Sequence, residues 1–162
     1  MSGGSWLHNS RGEWYVVAQA VLLLAVLLAP ILDVRVSDQS LSWPGFAVAL
    51  GGLLCVAGGG FVVLGSVALG RNVSPFPKPK EDGGLVESGI YSVVRHPIYS
   101  GFALFAIGWG LAWKSVAALI AALALLALFD IKARREERWL EAKFGGYAAY
   151  KKRVKRLIPR VY

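Results

Sequence analysis

Long stretches without a charged residue constrain the fold of this chain more than any other feature of the sequence. Residues 14–32 and 46–69 contain no charge, and residues 97–129 contain a single one, Lys114. A helix needs about 20 apolar residues to cross the hydrocarbon core of a bilayer. A water-soluble domain rarely carries several such runs, so we predict an integral membrane protein.

Composition excludes several other classes of protein. Hydrophobic residues make up 56% of the chain, whereas disordered segments contain few of them. The single cysteine, Cys55, lies in an apolar run, so it forms neither an intrachain disulfide nor a cysteine metal cluster. The first apolar run has no basic segment beyond Arg11 and no A-x-A-like cleavage site, so we interpret it as a retained anchor.

The lengths of the runs predict about four transmembrane helices. As one helix, residues 97–129 would extend roughly 50 Å, well beyond a bilayer core of about 30 Å. We therefore expect two helices with a turn near Lys114, and residues 130–143 should continue the last helix outside the bilayer. The predicted fold class is all-α, a single polytopic membrane helix bundle. The predicted spans are 14–32, 46–69, 97–113 and 115–129.

The second predicted span carries small residues at three- and four-residue spacing. Such a pattern lets another helix approach closely, either within one chain or between two chains. A phosphate-binding loop is improbable here, because the glycines follow no strand and do not read G-x-G-x-x-G. The pattern comprises Gly51, Cys55, Gly58, Gly59, Val62 and Ser66.

Basic residues are distributed very unevenly between the predicted loops. With four spans, sixteen of the 18 Lys and Arg residues fall on the side of both termini, and two fall on the other side, Arg35 and Lys114. Cytoplasmic loops carry such an excess, so both termini, the loop 71–96 and the segment 130–162 should be cytoplasmic, in a cell (inner) membrane. Attraction to anionic membrane lipids accounts for the net charge of +8. We predict no nucleic-acid partner.

The first polar block lies where the third span begins. Pro97 suits the first position of a helix, which places His96 at the helix start. Backbone N–H groups and the positive end of the helix dipole then lie beside Arg95 and His96, a place for an anionic group. An alternative is a membrane-boundary motif, with Arg95 on lipid head groups and Tyr91 and Tyr99 in the aromatic belt.

The second polar block is the charged run 132–140. Lys132 and Glu136 are one helical turn apart, so the run can be a solvated face with weak ion pairs. The other interpretation starts from two adjacent carboxylates, Glu136 and Glu137, at the cytoplasmic end of a span. They could bind a cationic group beside the anion-binding start of the third span. A zwitterionic cofactor would satisfy both ends.

Three motifs in fixed order carry a family resemblance over residues 85–159. They are L-V-x-x-G-I-Y-x-x-V-R-H-P-I-Y-x-G from Leu85, E-E-x-x-L-x-x-x-F-G from Glu136, and the tail from Tyr150 to Pro159. This part of the chain resembles the isoprenylcysteine carboxyl methyltransferase family and its phospholipid methyltransferase relatives. One departure is that a single residue separates Gly145 from the next tyrosine, where family members commonly have two.

The resemblance implies an integral membrane methyltransferase that uses S-adenosylmethionine, in a pocket formed by the last helices and the C-terminal segment. It implies no metal. Lys132 matches a position where some members have a substrate-facing arginine, and Arg95, His96 and Lys132 are the candidate catalytic residues. The candidate cofactor-binding residues are Leu85, Val86, Tyr91, His96, Pro97, Ile98, Tyr99, Glu136 and Glu137.

The methyl acceptor stays open between a carboxylate, an amine and a thiol. An amine or thiol needs a base, for which His96 is the nearest candidate. A pocket that opens to lipid favours a lipophilic small molecule or a lipid-modified substrate. Two alternatives come from other classes: a membrane redox or reductase-like protein with His96 as a haem ligand, and a non-catalytic scaffold whose basic tail binds anionic lipid.

Overall fold

The computed structural model describes residue 9, residues 11–36 and residues 43–162, with the backbone alone for residues 34–36. The described residues form helices and loops with no strand, and one isolated parallel bridge joins Val94 to Lys155. The predicted all-α class is therefore confirmed. The α-helices are α1 (Glu13–Val36), α2 (Ala47–Leu69), α3 (Pro97–Ala112), α4 (Val116–Lys143) and α5 (Tyr147–Arg153).

Within the described residues, three helices are long and apolar enough to cross a bilayer: α1, α2 and α4. Helix α3 is apolar but has only 16 residues, about 24 Å at 1.5 Å per residue. Many large apolar side chains of the long helices are exposed, as expected for a surface that faces lipid rather than water. Among them are Val21, Leu24, Leu53, Val56 and Leu123. The protein is an integral membrane helix bundle.

The chain turns sharply between α3 and α4, close to Lys114, as the length of the apolar run predicts. Lys114 adopts a positive φ of 54°, and Ser115 then caps α4 by accepting a hydrogen bond from the backbone N–H of Ala118 at 3.0 Å. Helix α4 continues without a break to Lys143. The polar last turns of α4 therefore belong to the same continuous helix that packs in the bundle.

Helices α2 and α3 pack in direct backbone contact. A Cβ atom on Gly58 would lie 2.6 Å from the carbonyl oxygen of Gly101, and one on Gly108 would lie 2.6 Å from that of Gly51. The small residues of α2 thus serve packing within one chain. Gly59 makes no such contact within the described part of the chain, since its added Cβ would meet no atom within 4 Å.

Helix α1 runs antiparallel to α4. The hydroxyl of Ser115 donates to Asp33 at 2.5 Å near one end of the pair, and Lys132 Nζ donates to Gln19 Oε1 at 2.7 Å nearer the other. Because α2 is likewise antiparallel to α3, the starts of α1 and α3 and the ends of α2 and α4 lie at one end of the bundle. The apolar core between the helices includes Val26, Ala103, Ala106, Ala122, Leu125 and Phe129.

Candidate active site

The C-terminal segment is bonded to the start of α3. After α5, the chain runs extended beside residues 94–96, where Arg95 N donates to Lys155 O at 2.8 Å and His96 N donates to Arg156 O at 3.1 Å. The hydroxyl of Ser100 donates to Leu157 O at 2.7 Å, which extends the contact into the first turn of α3. These bonds fix the loop before α3 against the end of the chain.

A buried carboxylate holds the same region together. Glu137 is only 1% exposed, and its Oε1 accepts hydrogen bonds from Arg95 Nη2 at 2.6 Å and from Arg156 Nε at 3.0 Å. Arg156 Nη2 also donates to Glu137 Oε2 at 3.0 Å, and these bonds raise the pKa of Arg156. A carboxylate so deeply buried is stable only when it is paired in this way. Glu137 therefore joins α4, the loop before α3 and the C-terminal segment.

The neighbouring carboxylate, Glu136, faces another direction. Its Oε2 accepts a hydrogen bond from the Tyr99 hydroxyl at 2.6 Å, and its side chain is 24% exposed. The ring of Tyr99 stacks on His96 at 5.3 Å and on Phe129 at 5.0 Å between centroids. The start of α3 and the polar extension of α4 thus meet through one short contact.

A cavity opens beside this contact. It encloses about 670 Å³ when the open solvent at its mouth is included. Seven of the nine predicted cofactor-binding residues line it, drawn from three separate parts of the chain. They are Leu85, Val86, Tyr91, His96, Ile98, Tyr99 and Glu136.

The other two predicted cofactor-binding residues lie outside the cavity wall. Pro97 is buried at the first position of α3, in reach of α2, where a Cβ on Gly65 would lie 3.2 Å from its ring. Glu137 is enclosed by Arg95 and Arg156. For both residues, direct contact with a ligand stays a prediction.

The three candidate catalytic residues occupy different places. His96 and Arg95 both line the cavity. All three guanidinium nitrogens of Arg95 donate within the protein: Nε and Nη2 to Glu137, and Nη1 to the carbonyls of Lys151 and Val154. Arg95 is therefore committed to holding the C-terminal segment.

Lys132 lies behind Tyr99 rather than in the cavity wall. Its Nζ is 4.9 Å from the centre of the Tyr99 ring and donates to Gln19 Oε1 at 2.7 Å and to Pro75 O at 3.1 Å. The residue is only 2% exposed. In this structure Lys132 ties α4 to α1 and to the loop after α2.

Several wall residues were missed by the sequence analysis. The most informative are Tyr147 and Tyr150 of α5, which pack edge to face at 5.7 Å between ring centroids. Burial raises the pKa of both phenols, and the carboxylate of Glu137 raises that of Tyr147 further. The Y-x-x-Y spacing on a short helix was the available signal. The other missed wall residues are Leu69, Ser74, Gly84 and Leu140.

The lining fits a ligand that is both cationic and partly apolar. Glu136 presents a carboxylate, and Tyr91 contributes an aromatic ring of the kind that attracts cations. Leu85 and Ile98 add apolar walls. S-adenosylmethionine has these properties: an ammonium group, a sulfonium and an adenine ring.

Residues 46–146 match the family described as phospholipid methyltransferase. The chain belongs to this family. It is 31% identical to a protein-S-isoprenylcysteine O-methyltransferase of Schizosaccharomyces pombe, over 96% of this chain and 70% of that one. It is also 31% identical to the enzyme of that name from Saccharomyces cerevisiae, over 96% of this chain and 66% of that one. The family resemblance predicted from the motifs is confirmed.

A shorter match joins the chain to a bacterial enzyme. Methanethiol S-methyltransferase 2 of Bradyrhizobium diazoefficiens is 38% identical over 45% of this chain and 28% of that one. These three relatives are named as methyltransferases of different acceptors, and all three are longer than this chain. The protein is a methyltransferase, and the comparisons favour neither the redox protein nor the non-catalytic scaffold.

Proposed function

We propose that the protein transfers a methyl group from S-adenosylmethionine to a hydrophobic or lipid-tailed acceptor. The observation that carries the proposal is the hydrogen bond from Tyr99 to Glu136, which joins two distant motifs at one cavity. The lining of that cavity suits the cofactor. The names of the two yeast relatives support a lipid-modified acceptor.

The cofactor is proposed to bind with its ammonium group on Glu136. Tyr99 donates to one oxygen of this carboxylate in the cavity wall, and the other oxygen is proposed to accept from the ligand. The apolar walls at Leu85, Val86 and Ile98 then accommodate the adenine ring. Glu137 and Arg95 act indirectly, because their contacts hold the loop that carries these walls.

When bound, S-adenosylmethionine supplies an electrophilic methyl group, whose bond to sulfur breaks as the acceptor's lone pair forms the new bond. The contribution of the chain is to hold the acceptor in line with that bond and to keep water out of the cavity. The leaving thioether is neutral, so no acid is needed. A base is needed only when the acceptor arrives protonated.

Among the acceptors left open by the sequence, the geometry favours a carboxylate. His96 is the candidate base, but its Nε2 lies 3.3 Å from Glu137 Oε1 and its Nδ1 lies 3.8 Å from Glu136 Oε2. Both nitrogens thus face carboxylates of the protein. An acceptor that is already ionised needs no proton removed, which a carboxylate provides at neutral pH.

The cavity is proposed to open at the cytoplasmic face, with both termini on that side. It lies at the bundle end that carries the loop 71–96 and the residues after 130, where most basic residues are found. An excess of Lys and Arg marks the cytoplasmic side. Location in a cell (inner) membrane rests on the same argument.

Two measurements test the proposal. Purified protein in detergent is incubated with methyl-labelled S-adenosylmethionine and a lipid extract of the host, and the labelled product is treated with base. We expect label in an apolar product, released by base as methanol from a methyl ester. Label that stays bound after base would contradict a carboxylate acceptor and would favour an amine or a thiol.

The variant Glu136→Gln tests the cofactor contact. We expect it to remain folded and to lose affinity for S-adenosylhomocysteine at least tenfold, because a charge-assisted hydrogen bond contributes about 1.5–3 kcal/mol. Glu141→Gln is the matched control on the same helix, since Glu141 contacts only Lys151 among the described partners. Equal affinity of the two variants in calorimetry would remove Glu136 from the site.

A further inference from the structure

One polar group in the cavity wall has no hydrogen-bond partner in the described part of the protein. The Tyr147 side chain is 1% exposed, and its hydroxyl has no hydrogen-bond partner among the described residues. Native proteins rarely leave a buried hydroxyl unpaired, because its desolvation is then uncompensated. Since Tyr147 lines the cavity, a ligand there can supply the missing partner.

The other phenols of the wall are already engaged. The hydroxyl of Tyr99 donates to Glu136 at 2.6 Å and that of Tyr150 donates to Tyr91 O at 2.6 Å. The hydroxyl of Tyr91 makes a long contact with Gly65 O at 3.5 Å. Arg95 is likewise fully committed within the protein. Tyr147 therefore differs from the neighbouring donors in having a hydroxyl without a hydrogen-bond partner among the described residues.

The position of this hydroxyl is set in advance by packing. Tyr147 begins α5, where its backbone N–H donates to Phe144 O at 3.0 Å. Its ring packs in a cluster with Leu85, Leu140 and Tyr150. A phenol is protonated at neutral pH and therefore a hydrogen-bond donor, and burial raises the pKa of Tyr147 further. A rigid donor of this kind binds a ligand without ordering a flexible side chain.

We propose that the Tyr147 hydroxyl hydrogen-bonds the methyl donor and is a cofactor-binding residue of this enzyme. This inference rests on the proposed function. The methyl donor is favoured over the acceptor as its partner because Tyr147 shares the cavity with Leu85 and Glu136, to which the donor is assigned. A hydrogen-bond acceptor of the cofactor, an oxygen or a ring nitrogen, would complete the pairing.

The test is the variant Tyr147→Phe, which removes the hydroxyl and keeps the ring. The affinity for S-adenosylhomocysteine is measured by calorimetry, and the melting temperature is measured without ligand. We expect affinity to fall about three- to tenfold, as for the loss of one hydrogen bond. The melting temperature should stay level or rise, because the hydroxyl has no partner in the protein. Tyr15→Phe, on α1 and outside the cavity wall, is the matched control.

The outcomes separate this inference from the proposed function. Unchanged affinity in Tyr147→Phe, while the wild type binds S-adenosylhomocysteine, overturns the inference and leaves the proposed function standing. A raised KM for the acceptor with unchanged S-adenosylhomocysteine affinity overturns it as well. A lower melting temperature with unchanged affinity would assign the hydroxyl a structural role instead. Failure of the wild-type protein to bind S-adenosylhomocysteine would contradict the proposed function itself.

Discussion

Replacing Glu137 by glutamine tests whether this residue holds the fold or binds a ligand. The change removes the negative charge at the centre of the contacts with Arg95 and Arg156 and leaves the shape of the side chain. The side chains of Arg95 and Glu137 are only 6% and 2% exposed, so solvent compensates little for the loss. Breaking a buried pair by removing one partner costs about 3–5 kcal/mol.

The loss of stability should be visible as a shift in thermal unfolding. For a chain of this size, 1 kcal/mol corresponds to about 2–4 °C, so Glu137→Gln should melt roughly 10 °C below the wild type. The assay is unfolding in detergent followed by intrinsic fluorescence. Glu141→Gln serves as control, because an exposed pair such as Glu141 with Lys151 contributes at most about 1 kcal/mol.

One combination of results would refute this reasoning. In that case Glu137→Gln would melt within about 2 °C of the wild type but no longer bind S-adenosylhomocysteine. Glu137 would then be a ligand-binding group, and its ion pairs with Arg95 and Arg156 would not be what holds the C-terminal segment. A lower melting temperature with binding retained at low temperature supports the structural role. The measurement therefore also decides the prediction, made from the sequence, that Glu137 contacts the cofactor.

Two further predictions concern stability. Gly58→Ala should destabilise the fold by about 1–3 kcal/mol, because its Cβ would lie 2.6 Å from Gly101 O. The control Gly59→Ala places its Cβ in open space and should leave the stability unchanged. Equal melting temperatures of the two variants would contradict the backbone contact between α2 and α3. Burial raises the pKa of Tyr150 in the folded protein above its value in the unfolded chain, which is about 10. The protonated phenol therefore contributes its full stabilisation below about pH 10, and the free energy of unfolding should fall as the pH rises beyond that value. The fall should be smaller in Tyr150→Phe, and an equal fall would exclude this phenol.

The helices were predictable from the sequence because bilayer thickness sets their length. The break near Lys114 follows from the same limit, since one helix over that run would be too long. Local chemistry also placed Pro97 at the first position of α3. These features depend on residues close together in the chain, so they can be found without knowing which helices touch.

Contacts between distant residues could not be predicted in this way. Arg95 looked free to meet a ligand or a lipid head group, yet it binds carbonyls of Lys151 and Val154, more than 50 residues away. Lys132 looked like a residue of the site, but it binds Gln19 on α1. Each of these two side chains thus has backbone carbonyls or a neutral amide among its partners, and residue identity gives little indication of such partners.

The adjacent carboxylates show why position on the helix matters more than sequence neighbourhood. Consecutive residues of an α-helix point about 100° apart, so Glu136 and Glu137 leave the helix in different directions. One reaches the cavity with Tyr99, and the other reaches the buried arginines. A shared role would require their glutamine variants to behave alike. We instead expect opposite results: loss of binding in Glu136→Gln with stability retained, and loss of stability in Glu137→Gln.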